Sequence, residues 1–277
     1  MLTIIIGCLT GVLLGGTLGM VWQGHPVWAS LLGVTGFFGV MIGVNLLMRR
    51  KMEAIFKGVQ AHIEESQEQL RRRIQIMQNK NMSGGKGLQK RLEKEQTDSI
   101  VESIALLDQI TPLKRWNIMA ERQANTLRGQ LYYQIKDFGN AKRCLEKSLV
   151  PTPDPLTLAM KMALMYKAEA FDDLAKAFRR GVKRFKDDKS VILYALYSWV
   201  LVSQGKFDEA QAVLDEGKDQ TDDETIRRNW EHVANGRVKQ FSNAGVGEQW
   251  YALHLEAPKP VKARQGRFGG GGRMRHR

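Results

Sequence analysis

The first 48 of the 277 residues contain no Asp, Glu, Lys or Arg. A stretch that long without charge argues against a wholly soluble globular chain, because nothing in it favours water over lipid. Cysteine is nearly absent as well. Cys8 and Cys144 lie far apart in unlike surroundings, which excludes a disulfide framework or a thiolate metal site, and both read as small apolar fillers. The five histidines, His25, His62, His232, His254 and His276, fall in unrelated segments, and no HExxH, GxSxG or CxxC occurs. Acidic pairs are few and sit where helices start. Asp187-Asp188 and Asp222-Asp223 read as caps that favour the helix dipole, and Asp172-Asp173 and Asp208-Glu209 as repeat-turn residues. The chain is therefore read as no enzyme, with no cofactor and no metal. Nowhere does a run look like a strand, so the expected class is all-α.

The uncharged opening divides into Leu2 to Trp22 and Val27 to Met48, separated by Gln23-Gly24-His25-Pro26. About 20 helical residues cross a bilayer core of about 30 Å, so each run predicts a span and together they predict a transmembrane helical hairpin over 1–48. Trp22 and Trp28 stand where interfacial aromatics belong, and Arg49, Arg50 and Lys51 at the exit mark the cytoplasmic surface. Both termini are expected in the cytoplasm. A cleavable signal peptide would need a basic start and a shorter apolar core, and Met1-Leu2-Thr3-Ile4 offers no basic start. Gly7, Gly11, Gly15 and Gly19 recur every four residues, and Gly39 and Gly43 repeat the motif. Such a stripe seats either the other helix of the hairpin or a second copy of the chain. The tethered partner is the nearer.

The formal net charge is +13, and its placement is informative. Residues 49–94 carry +7 and residues 257–277 another +7, so the positive charge brackets a nearly neutral body. Residues 49–87 predict a juxtamembrane basic amphipathic helix and turn. Met52, Phe56, Val59, Ile63, Leu70 and Met77 form its apolar stripe, and Asn79 to Gly87 its break. The helix is expected to continue the second span outward. Lying along anionic headgroups, at roughly 1 kcal/mol per cation, and packing on the following domain both fit. Gly84-Gly85-Lys86-Gly87 lacks the spacing and the Ser or Thr of a phosphate loop and reads as a flexible turn.

Over 88–256 the chain repeats. Phe138, Phe171, Phe207 and Phe241 fall at intervals of 33, 36 and 34, each followed three residues later by Ala141, Leu174, Ala210 or Ala244. Helix starts are expected near 112, 155 and 222, from Thr111-Pro112, Asp154-Pro155 and a capping box over Thr221 to Glu224, with Ser190 as a further cap. Leu88 to Ile110 reads as a helix covering the first repeat. The fourth unit, with Gly245 and Gly247 in its second half, is expected to be a weak terminal cap.

The best copy has Gly129, Leu131, Tyr132, Phe138, Ala141, Leu145 and Pro153, and Gly205, Phe207, Ala210 and Gly217 make a second half-copy. This pattern resembles the tetratricopeptide repeat (TPR) family, which implies an α-solenoid of about three to four helix pairs whose concave face binds extended peptides. Carried across, the family's groove positions are Gln123, Thr126, Gln130 and Tyr133, then Ala163, Tyr166 and Lys167, then Trp199 and Ser203. Amides and aromatics suit a peptide, yet Tyr133, Tyr166 and Trp199 equally suit core filler between helices. Only Lys167 matches the carboxylate-clamp pattern of the family, which disfavours capture of a chaperone's C-terminal acid.

Residues 257–277, with Arg264, Arg267, Phe268, four glycines and Arg273, predict a disordered Arg/Gly-rich basic tail that meets anionic lipid or single-stranded nucleic acid. Taken together, the sequence predicts a multi-pass protein of a bacterial inner membrane, a scaffold or adaptor for a protein or peptide ligand. The alternative is a tether for nucleic acid or ribosome through the tail. Homo-oligomers through the glycines are a further expected partnership.

Overall fold

The computed structural model describes residues 2–21, 26–79, 86–116 and 118–257, and among these it is all-helical, with no strand. The turn at 23–25, Trp22, residues 80–85 and the tail from 258 lie outside the described residues, so the expectations placed there have no structural counterpart.

Helices α1 (Leu2–Val21) and α2 (Pro26–Asn79) pack against each other. The seam forms where side chains are missing: a Cβ on Gly7 would come within 2.9 Å of the Phe37 ring, and one on Gly11 within 3.1 Å of the Gly33 carbonyl. Gly39 and Gly43 meet nothing within 4 Å, so this second pair, expected in the same seam, lies on another face of α2. Thr10 satisfies its own hydroxyl by donating to the carbonyls of Ile6 and Gly7. Away from the seam Ile5, Leu9, Val12, Leu13, Leu31, Val34, Phe38, Ile42, Leu46 and Leu47 are all more than half exposed. Within α1 the described side chains run continuously only over 5–13, and over the described residues no helix is long and apolar enough to cross a membrane.

Past Arg49 the same helix changes character without a break. At 1.5 Å per residue its 54 residues extend about 80 Å. Met52 and Val59 are buried, with Ile55, Phe56 and Ile63 packed around them, against Ile100 and Ile104 of α3 (Lys86–Leu106) and Ala120, Ala124 and Leu131 of α4 (Ile118–Gln134). Protein therefore covers the stalk's apolar stripe from Met52 to Ile63. Helix α3 returns antiparallel to α2: Arg73 meets Glu95, and His62, nearer the start of α2, meets Glu102.

Between α3 and α4 the chain forms a 3₁₀ helix over Leu107–Arg115 instead of starting an α-helix at Pro112. Leu107 and Ile110, three apart, are both buried, and that spacing fits three residues per turn. Arg128 clasps this turn, donating to the Leu107 carbonyl and to Asp108. Proline at 112 is tolerated there, so Thr111 caps nothing in this turn.

Three helix pairs follow: α4 with α5 (Phe138–Glu146), α6 (Pro155–Lys167) with α7 (Phe171–Arg184), and α8 (Val191–Ser203) with α9 (Phe207–Gln220). Phe138, Phe171 and Phe207 each open the second helix of a pair, while Ala141, Leu174 and Ala210 are buried. Gly129 and Gly181 mark where the helices come closest, since a Cβ on either would lie 2.6 Å from a leucine methyl. Asp154 caps α6 as expected, accepting from the Thr157 amide at 2.7 Å. Helix α10 (Glu224–Ala234) is capped by Asp223, not by Thr221, whose hydroxyl donates to the Gly217 carbonyl. Ser190 precedes α8 without capping it, because its hydroxyl donates back to the Asp187 carbonyl.

The fourth pair is incomplete. Phe241 follows a 3₁₀ turn, and a second turn over Ala244–Val246 leads to α11 (Glu248–Tyr251), four residues long. A Cβ on Gly245 would collide with the Thr225 hydroxyl, so the chain crosses α10 too closely for a full helix to pack.

Candidate functional site: the face of the first helices

First helices touch one another in order, α4 on α6, α6 on α8 and α8 on α10, and so share one face. Gln130 of α4 reaches Thr157 of α6, and Tyr166 of α6 meets Trp199 of α8 edge-on at 5.1 Å between ring centroids. The Lys167 ammonium lies 4.5 Å from the centre of the Phe138 ring. Ala163 is buried beneath, and Ser203 stands exposed at the end of α8. Thr126 is buried and spans to the loop after α5, accepting from the Leu149 amide. Gln123 looks elsewhere: with Met41, Ile42, Leu46, Arg49 and Phe56 it lines a separate recess of about 780 Å³ beside α2. Arg49, Arg50 and Lys51 are exposed on α2 where its uncharged half ends.

The centre of the shared face is occupied by the chain's own C-terminal segment. From α11 the backbone runs from α8 towards α4, with Trp250 of α11 and Leu253 just after it fully buried. Tyr133, buried, donates its hydroxyl to the Leu253 carbonyl at 2.6 Å across 120 residues of sequence. His254 stacks on the Tyr133 ring at 5.8 Å and 20° and meets Phe138 edge-on. The indoles of Trp199 and Trp250 cross at 5.9 Å, and both N–H groups donate to one carboxylate: Trp199 to Glu256 Oε1 at 2.7 Å, Trp250 to Oε2 at 2.8 Å. Farther back, Asn243 bridges Asn229 and the Ala195 carbonyl, fixing the start of the return.

Burial sets the electrostatics of this face. It pushes the Tyr133 hydroxyl well above the ordinary phenol value, leaving a neutral donor at any physiological pH. It also lowers His254, aided by the nearby charges of Lys136 and Lys167 and opposed by the Gln134 backbone. Lys161 is lowered by burial too, and the Cys144 thiol is raised chiefly by burial, the state of an inert cysteine rather than a reactive one. Among the described residues no group of three His, Cys, Asp or Glu could hold a metal ion. What the face offers is indole and amide donors, aromatic edges and one surface ammonium, a chemistry of recognition.

Tyr133, Tyr166, Lys167 and Trp199 thus converge on one surface with Gln130 beside them, and Gln123 and Thr126 do not. Sequence reasoning missed Trp250, Leu253, His254 and Glu256. Their signal was present: a Trp, Leu and Glu spaced by three lie just before the composition turns basic. The chain matches no family model, no curated protein and no solved structure.

Proposed function

We propose that this chain is a membrane-anchored scaffold or adaptor of the tetratricopeptide type. Residues 1–48 hold it in the cell (inner) membrane as a hairpin with both termini cytoplasmic, and the concave face of its helix pairs binds a protein or peptide partner. The observation that carries this is α2, one uninterrupted helix whose first half leaves large apolar side chains bare while its second half is built into the repeat body. Apolar surface left in water costs about 25 cal/mol per Å². Ten such side chains on the hairpin, from Ile5 to Leu47, therefore favour a lipid solvent.

Charge agrees with that solvent. The 20 residues of α1 carry none. Arg49, Arg50 and Lys51 directly after the uncharged run favour the cytoplasmic side for the body.

Two measurements test the proposal. Membranes washed in alkaline carbonate should keep the full chain in the pellet; release into the supernatant would remove the anchor. A photo-crosslinking amino acid at the exposed position 167, at the edge of the face, should give discrete protein adducts in intact cells. A chain that crosslinks only to itself would remove the adaptor role.

A further inference from the structure

The segment seated on the first-helix face tells what that face accepts. Its contacts are those a bound peptide would make: a buried indole, a buried leucine three residues on, and a carboxylate three beyond that, taken by the Trp199 N–H of the face and by the segment's own Trp250 N–H. One main-chain carbonyl, that of Leu253, is held by a buried phenol, so part of the recognition is of backbone.

The link to α10 is hinged rather than helical. Gly236 and Gly247 both take positive φ, and Gly247, at φ 79 and ψ −144, adopts a conformation only glycine holds comfortably. Between them lie two 3₁₀ turns, and the segment's only α-helix is four residues long. Glu256 lies at the exposed rim, where a competing carboxylate can reach the Trp199 indole of the face.

We propose that residues 247–257 are a resident occupant of this face, and that the partner is a protein bearing a short helical-turn segment of the same W-x-x-L-x-x-E chemistry, which displaces it. This deepens the adaptor reading and rests on it for the identity of the face as a binding site. A tethered occupant acts at an effective concentration on the order of millimolar, so a partner free in solution competes poorly. One confined to the same membrane surface competes well.

The full chain in detergent micelles is titrated against a fluorescein-labelled peptide of residues 247–257, followed by anisotropy. Wild type should bind it weakly, Trp250→Ala at least tenfold more tightly, and Glu256→Gln, which removes only the rim carboxylate, by an intermediate factor. The same peptide with its Trp replaced by Ala should bind none of them. Gly247→Ala opens the return without altering any contact of the face, and should also bind more tightly than wild type.

Equal weak binding to all four chains, with helical circular dichroism and melting temperature kept in Glu256→Gln, would overturn the proposal. So would tight binding of the Ala-substituted peptide. The outcomes separate from those of the adaptor test: adducts from position 167 without peptide binding sink this inference alone, and peptide binding without adducts sinks the adaptor alone.

Discussion

The two halves of α2 are the same helix in different surroundings. Before Arg49, Leu31, Val34, Phe38, Ile42, Leu46 and Leu47 are each more than half exposed; after it, Met52 and Val59 are buried under α3 and α4. Polar residues follow the same division, with Glu53, Lys57, Glu64, Glu68 and Arg72 all in the second half. The helix runs through Arg49 unbroken, but the means of covering apolar surface changes there. From Met52 to Ile63 the chain supplies its own cover, while farther on Ile76 is again bare, and in the first half the chain supplies only α1 on one side.

The sharpest way to break this comparison is to place the same charge in each half. Val59→Asp buries an unpaired carboxylate in the second core and should cost on the order of 3 kcal/mol or more, seen as a large fall in the melting temperature of the body. Ile42→Asp should leave that melting temperature in detergent where it was. It should weaken membrane retention instead, by about 2.5–3.5 kcal/mol if the side chain sits near mid-bilayer. Equal effects of the two on the body would erase the distinction between the halves.

A smaller effect separates the faces of the first half. Gly7→Leu drives a side chain into the Phe37 ring and should loosen the α1–α2 seam by about 1–3 kcal/mol, read as a lower yield of engineered cross-hairpin disulfides. Gly43→Leu, facing open space, should leave that yield unchanged. If the second variant is the more damaging, Gly43 faces another molecule.

In the second half the polar clasp between α2 and α3 should matter least. Arg73 Nη1 lies 2.8 Å from both oxygens of Glu95, but both side chains are about half exposed. Glu95→Gln should therefore shift stability by no more than about 1 kcal/mol, and less in high salt.

On the face of the first helices, pH should act on the returning segment. His254 faces Tyr133 and Phe138, with Lys136 and Lys167 nearby and the Gln134 backbone opposing them, and burial first of all lowers its pKa. A histidine lowered in the docked state supports docking fully above its free value of about 6.5 and loses that support as pH falls below it. Amide protection over 248–256, taken relative to the intrinsic exchange rate at each pH, should therefore fall as the pH drops below about 6.5, and His254→Phe, which keeps the stack, should flatten the response. Protection that ignores pH in wild type would show that the imidazole has the same pKa docked and free.

Local signals were legible and distant ones were not. Phe138, Phe171 and Phe207 announced three second helices because an aromatic followed by a small residue three on fixes where two helices cross, and each opens its helix. Asp154-Pro155 announced α6 because cap and proline act within one turn. Thr111-Pro112 carried the same signature and misled, since a proline also fits the 3₁₀ turn that buried Leu107 and Ile110 impose. The role of Tyr133 could not be read locally: its hydroxyl partner is Leu253, and no period of the sequence relates the two. For the same reason Trp250 passed as part of a weak final repeat, although it is among the largest fully buried side chains.

The unbroken α2 makes the molecule a lever. With its first half gripped by a bilayer as proposed, the 31 residues from Arg49 to Asn79 project about 46 Å as a rigid arm bolted to the body by Met52 and Val59. Spanning helices change tilt as the surrounding lipid thickens or thins. An added lean of about 10° would swing the arm's end by about 8 Å and carry every helix pair with it, so the pose of the body towards its neighbours would follow the thickness of the sheet it stands in.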